Sequence, residues 1–289
     1  MDTFDFEELR TRREKSQITN MYFEILACKN QQLQRHYTGA ELSLNLAERQ
    51  KHAFNMVQIH YLTEVTVPSA RKRVVESYDI GPNNDDLYPN IWPPENTLPG
   101  FQAFMENFFD IMNIFKDALL GLLEDHYEVS KGRFSALHNM AQNELRLLHY
   151  PDIKTELLKD TKKAVRFGQH TDFGTITILF QAPAGGLYFR SMNGNWNEIL
   201  SSKTDAIITF GDTFERWTNG RVHAGVHCVQ APSQAQDQTG ERYAIAYFGK
   251  ANRNQSVGVL PEFANKLESP KYEDMTAEEY NQYRMLSLY

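Results

Sequence analysis

From about residue 143 onward the chain stops repeating with helical period and becomes a succession of short β-branched and aromatic runs. The runs ELRLLHY, VRFGQH, TITILF, GLYF, AIITF, VHAGVHCV and RYAIAYF are separated by Pro151, Ala-Pro-Ala-Gly-Gly, Asn-Gly-Asn and Gly-Asp. Proline lacks an N–H for the ladder, and glycine and asparagine tolerate the backbone angles of tight turns, so each cluster ends a strand. A parallel βαβ sheet places a helix between successive strands, and short, fairly regular spacing argues against that arrangement. Seven or eight strands at this spacing predict an all-β sandwich or barrel.

The rest of the chain reads differently. Phe23, Leu26 and Leu33, and then a segment from about Leu42 to Val57, follow helical spacing, so the first sixty residues are expected to be helical. Between Asp79 and Gly100 the text DIGPNNDDLYPNIWPPENTLPG is too dense in breakers for regular structure. A long helix is expected over Phe101–His126, with Met105, Phe108, Phe109, Met112, Phe115, Leu119 and Leu122 as its apolar stripe. A last helix is expected after about Pro270, capped by Thr276, with Glu278 and Glu279 in its first turn. The organisation expected is one domain over residues 1–289. Within it lie a mainly helical part (1–140), a β core (141–250) and a C-terminal helical extension (251–289).

Charge and cysteine usage narrow the function classes. A formal charge of −7 and the absence of a basic stripe argue against a nucleic-acid surface. Two distant cysteines form neither a disulfide framework nor a zinc-ribbon spacing. The charged N-terminus has no apolar signal core, and no apolar stretch is long enough to span a membrane. A soluble cytoplasmic protein is the expectation, and its oligomeric state is not legible.

Metal chemistry is written into GQHTDFGTITILF, where His170 and Asp172 stand two apart. Side chains alternate along a strand, so the two are expected on one face. Alone the pair is weak, since nine histidines generate such spacings by chance. A third ligand lies downstream in RVHAGVHCV, where His227 and His223 share strand parity and compete for the role. Two imidazoles and one carboxylate form the facial set that binds non-haem Fe(II) and leaves coordination positions open for substrate and oxygen. A zinc protease is disfavoured because no His-Glu-x-x-His is present. An anion anchor follows in GERYAIAYF. Arg242 shares a face with Ala244 and Ala246, which leave room for a carboxylate to reach the guanidinium, and the Tyr150 hydroxyl can serve the same anion.

Together the segments YDIG, PNIWPPENTLPGF, LRLLHYP, GQHTDFGTITILFQ, GGLYFR, ITFGDTFERWTNGR, His227 and RYAIAYF resemble the isopenicillin N synthase-like family of Fe(II)/2-oxoglutarate-dependent dioxygenases, especially its fungal members. The resemblance implies an α+β chain with a mainly-β core. That core is a double-stranded β-helix (jelly roll) flanked by N-terminal and C-terminal helices. It implies His170, Asp172 and His227 as iron ligands, favouring His227 over His223, with Arg242 and Tyr150 holding the distal carboxylate of 2-oxoglutarate. Fe(II), 2-oxoglutarate and O2 are the implied cofactors, and the implied activity is oxidation of a small molecule, amino-acid-derived or aromatic, by hydroxylation, desaturation or cyclisation. The family's Arg-x-Ser reads Arg242-Tyr243-Ala244, its His-Arg reads His227-Cys228, and its usual N-terminal Gly-Phe-Phe and Asn-His-Gly text is missing. The Ala244 departure keeps open a 2-oxoglutarate-independent iron oxidase that closes a ring, and a jelly-roll binding module is the alternative from another class. Arg166 shares the alternating face of His170 and is expected to meet an acidic group of the substrate.

Overall fold

The computed structural model describes residues 72–159, 164–202, 205–264 and 269–288, all within one compact unit, Met56–Tyr289. The helices expected in the first sixty residues lie outside the described residues. In chain order the strands are β1 (Lys72–Arg73), β2 (Glu76–Ile80), β3 (Glu144–Tyr150), β4 (Ala164–Val165), β5 (Phe167–His170) and β6 (Ile176–Gln181). They continue with β7 (Leu187–Arg190), β8 (Trp196–Glu198), β9 (Ile207–Phe210), β10 (His227–Val229) and β11 (Arg242–Gly249). The helices are α1 (Phe101–His126), α2 (Arg133–Ala136), α3 (Thr155–Lys159), α4 (Asp212–Trp217) and α5 (Ala277–Leu288).

Two antiparallel sheets carry the β region. The larger has the order β2-β3-β11-β6-β9 and the smaller β5-β10-β7-β8, while β1 and β4 form a separate parallel pair. Ala244, Ala246, Leu148 and Tyr150 of the larger sheet pack with Leu187 and Val229 of the smaller, so the core lies between the sheets. The opposite face of the larger sheet is buried as well. Phe109 of α1 packs edge-on against Tyr247 of β11, with ring centroids 5.4 Å apart. With both faces of the sheet covered, β3 departs from polar–apolar alternation at Leu147–Leu148, which are buried side by side on opposite faces.

Helix α1 occupies the expected range, and Met105, Phe109, Met112, Phe115 and Leu119 of its stripe are buried. Phe108 and Leu122 sit half-buried at the stripe's edge. Glu124, also buried, turns its carboxylate to the next turn of chain, accepting from the Gly132 and Phe134 amides at 2.6 Å each. Helix α5 begins as the sequence predicts. The Thr276 hydroxyl accepts from the Glu279 amide, and the Glu279 carboxylate accepts from the Thr276 amide, a reciprocal capping box.

Three expectations need correction. Asp79 and Ile80 belong to β2, so the breaker-rich loop starts two residues later than its composition indicates. The run VHAGVHCV contributes only His227–Val229 as strand, because the chain before it crosses between sheets and the Gly225 amide bonds to Phe210 of the other sheet. Asp172 lies beyond the end of β5, so strand alternation is not what brings it to His170. Among the described residues no helix is long and apolar enough to cross a membrane.

His138 braces the back of the site. One ring nitrogen meets the Phe134 carbonyl at 2.7 Å and the other the Thr175 hydroxyl at 3.0 Å. Burial, reinforced by the Lys116 ammonium, pushes its pKa down to about 3. The native state therefore holds this ring neutral, while the unfolded chain protonates it near pH 6.5. Its contribution is complete above pH 6.5 and is lost as the pH falls from there towards 3, because only the unfolded state binds the proton in that window. Urea midpoints measured at pH 7 and pH 5 should fall for the wild type and fall distinctly less for His138→Gln. Parallel slopes in the two proteins would remove His138 as the cause.

Candidate metal centre

His170 closes β5 and His227 opens β10, and the two strands pair antiparallel with these residues directly opposite. Their imidazole centroids are 4.1 Å apart. Each ring is oriented by its own strand: His170 Nδ1 meets the Gly168 carbonyl and His227 Nδ1 the Gly225 carbonyl, both at 2.9 Å. A neutral ring donating through Nδ1–H carries its lone pair on Nε2, the atom a metal takes. Both Nε2 atoms face one oxygen: Asp172 Oδ1 is 3.8 Å from that of His170 and 3.7 Å from that of His227. One donor atom from each residue lies within 4.8 Å of the others. Phe189 stacks on His227 at 5.0 Å and Phe167 lies 4.4 Å from His170, which fixes the rings from outside. His223 takes no part; its side chain is 51% exposed and faces Glu215.

Asp172 is carried on a short loop held by backbone bonds. Its carbonyl accepts from the Asp212 amide at 2.8 Å, the Gly174 carbonyl accepts from Thr213, and the Thr175 carbonyl accepts from Gly211. The loop can come this close because residue 211 has no side chain: a Cβ there would stand 2.3 Å from the Gly174 oxygen and 2.8 Å from the Asp172 oxygen. On β6 the Thr177 hydroxyl donates to Asp172 Oδ2 at 2.6 Å, which leaves Oδ1 turned to the imidazoles. From α5, Arg284 reaches the Thr171 hydroxyl at 3.3 Å, stacks 4.5 Å from the Phe173 ring and pairs with Asp212. The C-terminal helix thus grips the loop on both sides of Asp172.

Strand alternation over residues 166–172 does not point to Thr177, Gly211 or Arg284, which hold Asp172 and its loop. Thr177 is within reach of the sequence, since it shares inward parity with Leu179 and Gln181 on a recognised strand. Arg284 lies more than a hundred residues from the loop it holds, and no local pattern announces that contact. Removing the Thr177 hydroxyl frees the carboxylate to rotate, and outer partners of this kind typically change metal affinity about 10–100-fold. Thr177→Val should therefore weaken Fe(II) binding, measured by anaerobic titration, by about tenfold or more; an unchanged affinity would show that the bond does not orient Asp172.

The register between β3 and β11 pairs Tyr150 with Arg242. Arg242 is 1% exposed, its Cζ lies 4.8 Å from the Tyr150 ring centroid, and its Nη2 donates to Gln181 Oε1 at 2.7 Å. Burial holds Arg242 below its usual range, with the adjacent Tyr150 opposing that shift. Burial raises Tyr150, and the arginines around it oppose that rise. Arg166, expected to meet an acidic group of the substrate, is 0% exposed, 6.0 Å from the same tyrosine ring, and its Nη2 donates to the Pro151 carbonyl and the Thr239 hydroxyl.

A converging His-Asp-His set on a two-sheet core belongs to a recognisable class of protein. A model of the 2OG-Fe(II) oxygenase superfamily matches residues 124–251. The chain is 37% identical over 256 residues to the 2-oxoglutarate-Fe(II) type oxidoreductase ppzD of Metarhizium majus, covering 88% of this chain and 72% of that protein. It is 41% identical to the proline hydroxylase buaE of Petromyces alliaceus, over 74% of this chain and 68% of that one. The crystal structure of a full-length Neurospora crassa protein in complex with alpha-KG and thymine superposes with a TM-score of 0.71 at 32% identity, covering 80% of this chain and 72% of that one.

The chain belongs to the 2OG-Fe(II) oxygenase superfamily. It is an Fe(II)- and 2-oxoglutarate-dependent oxygenase with the mixed α+β, jelly-roll type of fold of its structural neighbours, and its relatives use Fe(II), 2-oxoglutarate and O2.

Proposed function

We propose that His170, Asp172 and His227 hold the Fe(II), that Arg242 with Tyr150 receives the distal carboxylate of 2-oxoglutarate, and that the enzyme oxidises a small metabolite at this centre. The observation that carries the reading is the convergence of both Nε2 atoms on one oxygen of Asp172, each ring tied at Nδ1 to a backbone carbonyl. The donor set suits a divalent iron: two neutral nitrogens and one carboxylate leave it positive and with exchangeable positions. The buried, under-bonded guanidinium of Arg242 suits a carboxylate. When bound, iron would activate O2, which takes two electrons from 2-oxoglutarate, leaving succinate and CO2, and two from the substrate.

The protein's own groups do the positioning. Asp172 would supply the negative charge of the donor set, and Thr177 keeps its second oxygen occupied. Phe167, Phe189 and the core between the sheets exclude water from the imidazoles, which strengthens each charge interaction inside. Arg242 and Tyr150, at the far end of β11 and β3, set the depth at which a dicarboxylate can sit. A cavity of about 620 Å³, a size that suits one small molecule, borders Phe173 and Gly174 directly after Asp172 and is also lined by Asp79, Glu144, Lys250 and Tyr280. None of His170, Asp172, His227, Arg242 and Tyr150 lines it, and its Lys250 is bonded to its Glu144, so the amino-acid substrate class is taken from a relative named a proline hydroxylase. The finer family assignment we favour is the isopenicillin N synthase-like branch, with residues 141–250 as its double-stranded β-helix core.

The test is succinate release from 2-oxoglutarate by anaerobically iron-loaded protein on exposure to oxygen, with amino acids supplied as candidate substrates. Iron-dependent succinate that vanishes in His227→Ala is the expected result. Succinate formation at the wild-type rate in His227→Ala would remove the proposed metal site.

A further inference from the structure

Arg166 stands just before β5, and Arg242 opens β11, whose Ala244 and Ala246 face the core between the sheets. The β5–β10 ladder is irregular: His170 pairs with His227 and Phe167 with Val229, and Phe167 packs against the same core as Ala244 and Tyr150. Both guanidinium groups reach the Tyr150 ring and form a floor to that core.

The floor carries more positive charge than the protein offsets. Arg166 and Arg242 approach the same Tyr150 ring, at 6.0 and 4.8 Å. Each uses Nη2 to bond to protein, Arg166 to Pro151, Thr239 and Gly240, and Arg242 to Gln181. Each leaves Nε and Nη1 buried without a hydrogen-bond partner. Among the described residues neither guanidinium forms a salt bridge with a carboxylate. Two buried cations and four under-bonded nitrogens, with only the nearby Asp152 charge opposing them at Arg166 and no salt bridge among the described residues, make an arrangement that is costly until an anion fills it. A carboxylate has two oxygens and about four lone-pair sites, more than one guanidinium fork engages. On β11 the position that would add a hydroxyl to this floor is Ala244, so another donor has to complete the set.

We propose that Arg166 is a second cationic anchor for the distal carboxylate of the cosubstrate, so that Arg166, just before β5, and Arg242, on β11, close on it together. The assignment rests on the proposed Arg242–Tyr150 pocket.

The experiment measures, by anaerobic calorimetry on Fe(II)-loaded protein, the Kd of 2-oxoglutarate and of 2-oxovalerate, which keeps the 2-oxo acid head and lacks the distal carboxylate. Arg166→Gln should weaken 2-oxoglutarate about 10–100-fold, the range expected for hydrogen bonds to a charged group, and change 2-oxovalerate by less than about twofold. Arg166→Lys retains the charge without the fork and provides the same comparison if the glutamine variant does not fold; it should lose several-fold on 2-oxoglutarate alone. Equal losses on both probes would mean that Arg166 only props up the β10–β11 connection, and no loss on either would mean that it faces no anion; each overturns the proposal. Arg242→Gln separates the two layers of the argument. A selective loss there without one at Arg166 leaves the pocket standing and removes the second anchor, whereas no loss at either position removes the pocket itself.

Discussion

Asp172→Ala should reduce succinate release by on the order of a thousandfold or more, well beyond the 10–100-fold typical of a partner outside the coordination shell. Three consequences follow from one deletion. The donor set loses its only anionic member and retains two neutral nitrogens. The Thr177 hydroxyl, 2.6 Å from the lost oxygen, is left as a buried donor without its acceptor. The two imidazoles, only 4.1 Å apart, keep their backbone tethers and lose the group on which they converge. The variant should still fold, because the Asp172 carbonyl, not its carboxylate, carries the loop's bond to Asp212. Circular dichroism and a melting curve close to wild type, with no saturable Fe(II) binding, is the expected pair of results. Turnover above about a tenth of wild type would place the third ligand elsewhere.

Gly211→Ala is expected to have the largest effect on stability. The added Cβ would stand 2.3 Å from the Gly174 oxygen and 2.8 Å from the Asp172 oxygen, and both are backbone atoms that cannot rotate away. The reverse displacement is blocked too, since a Cβ on Gly174 would lie 2.6 Å from the Gly249 oxygen and the Thr175 amide is bonded to that same carbonyl. Overpacking of this kind costs about 3 kcal/mol, the upper part of the usual range, or a fall in melting temperature of about 10 °C for a domain of this size. Because the loop displaced is the one carrying Asp172, iron affinity should fall with it. Gly121→Ala in α1 is the control: nothing lies within 4 Å of its Cβ, and alanine in a helix should leave stability unchanged or raise it by about 1 kcal/mol. A melting temperature for Gly211→Ala within about 2 °C of wild type would mean that the loop relaxes more easily than its backbone contacts imply.

What the sequence determined by itself is local and periodic. The apolar stripe that defines α1 and the Thr276–Glu279 box that starts α5 depend on residues three or four positions apart, so they read directly from the chain. The short β runs and their turn clusters are equally local, and the two-histidine, one-aspartate pattern is chemical enough to stand out in text. Only the tertiary structure decided which side chains meet across distance. Tyr150 reaches Arg242 because strands 92 positions apart pair in one register, chosen by how their apolar faces fill the space between the sheets. Asp172 reaches the imidazoles through a turn held by Asp212, Gly174 and Thr177, where strand alternation had predicted the right neighbour for the wrong reason. His227 rather than His223 enters the cluster because β10 starts only at His227. Arg166 joins Arg242 at the floor because burial in a two-sheet core is a property of the whole packing. Periodicity shows which face a residue takes, and only the pairing of distant strands shows what that face is turned towards.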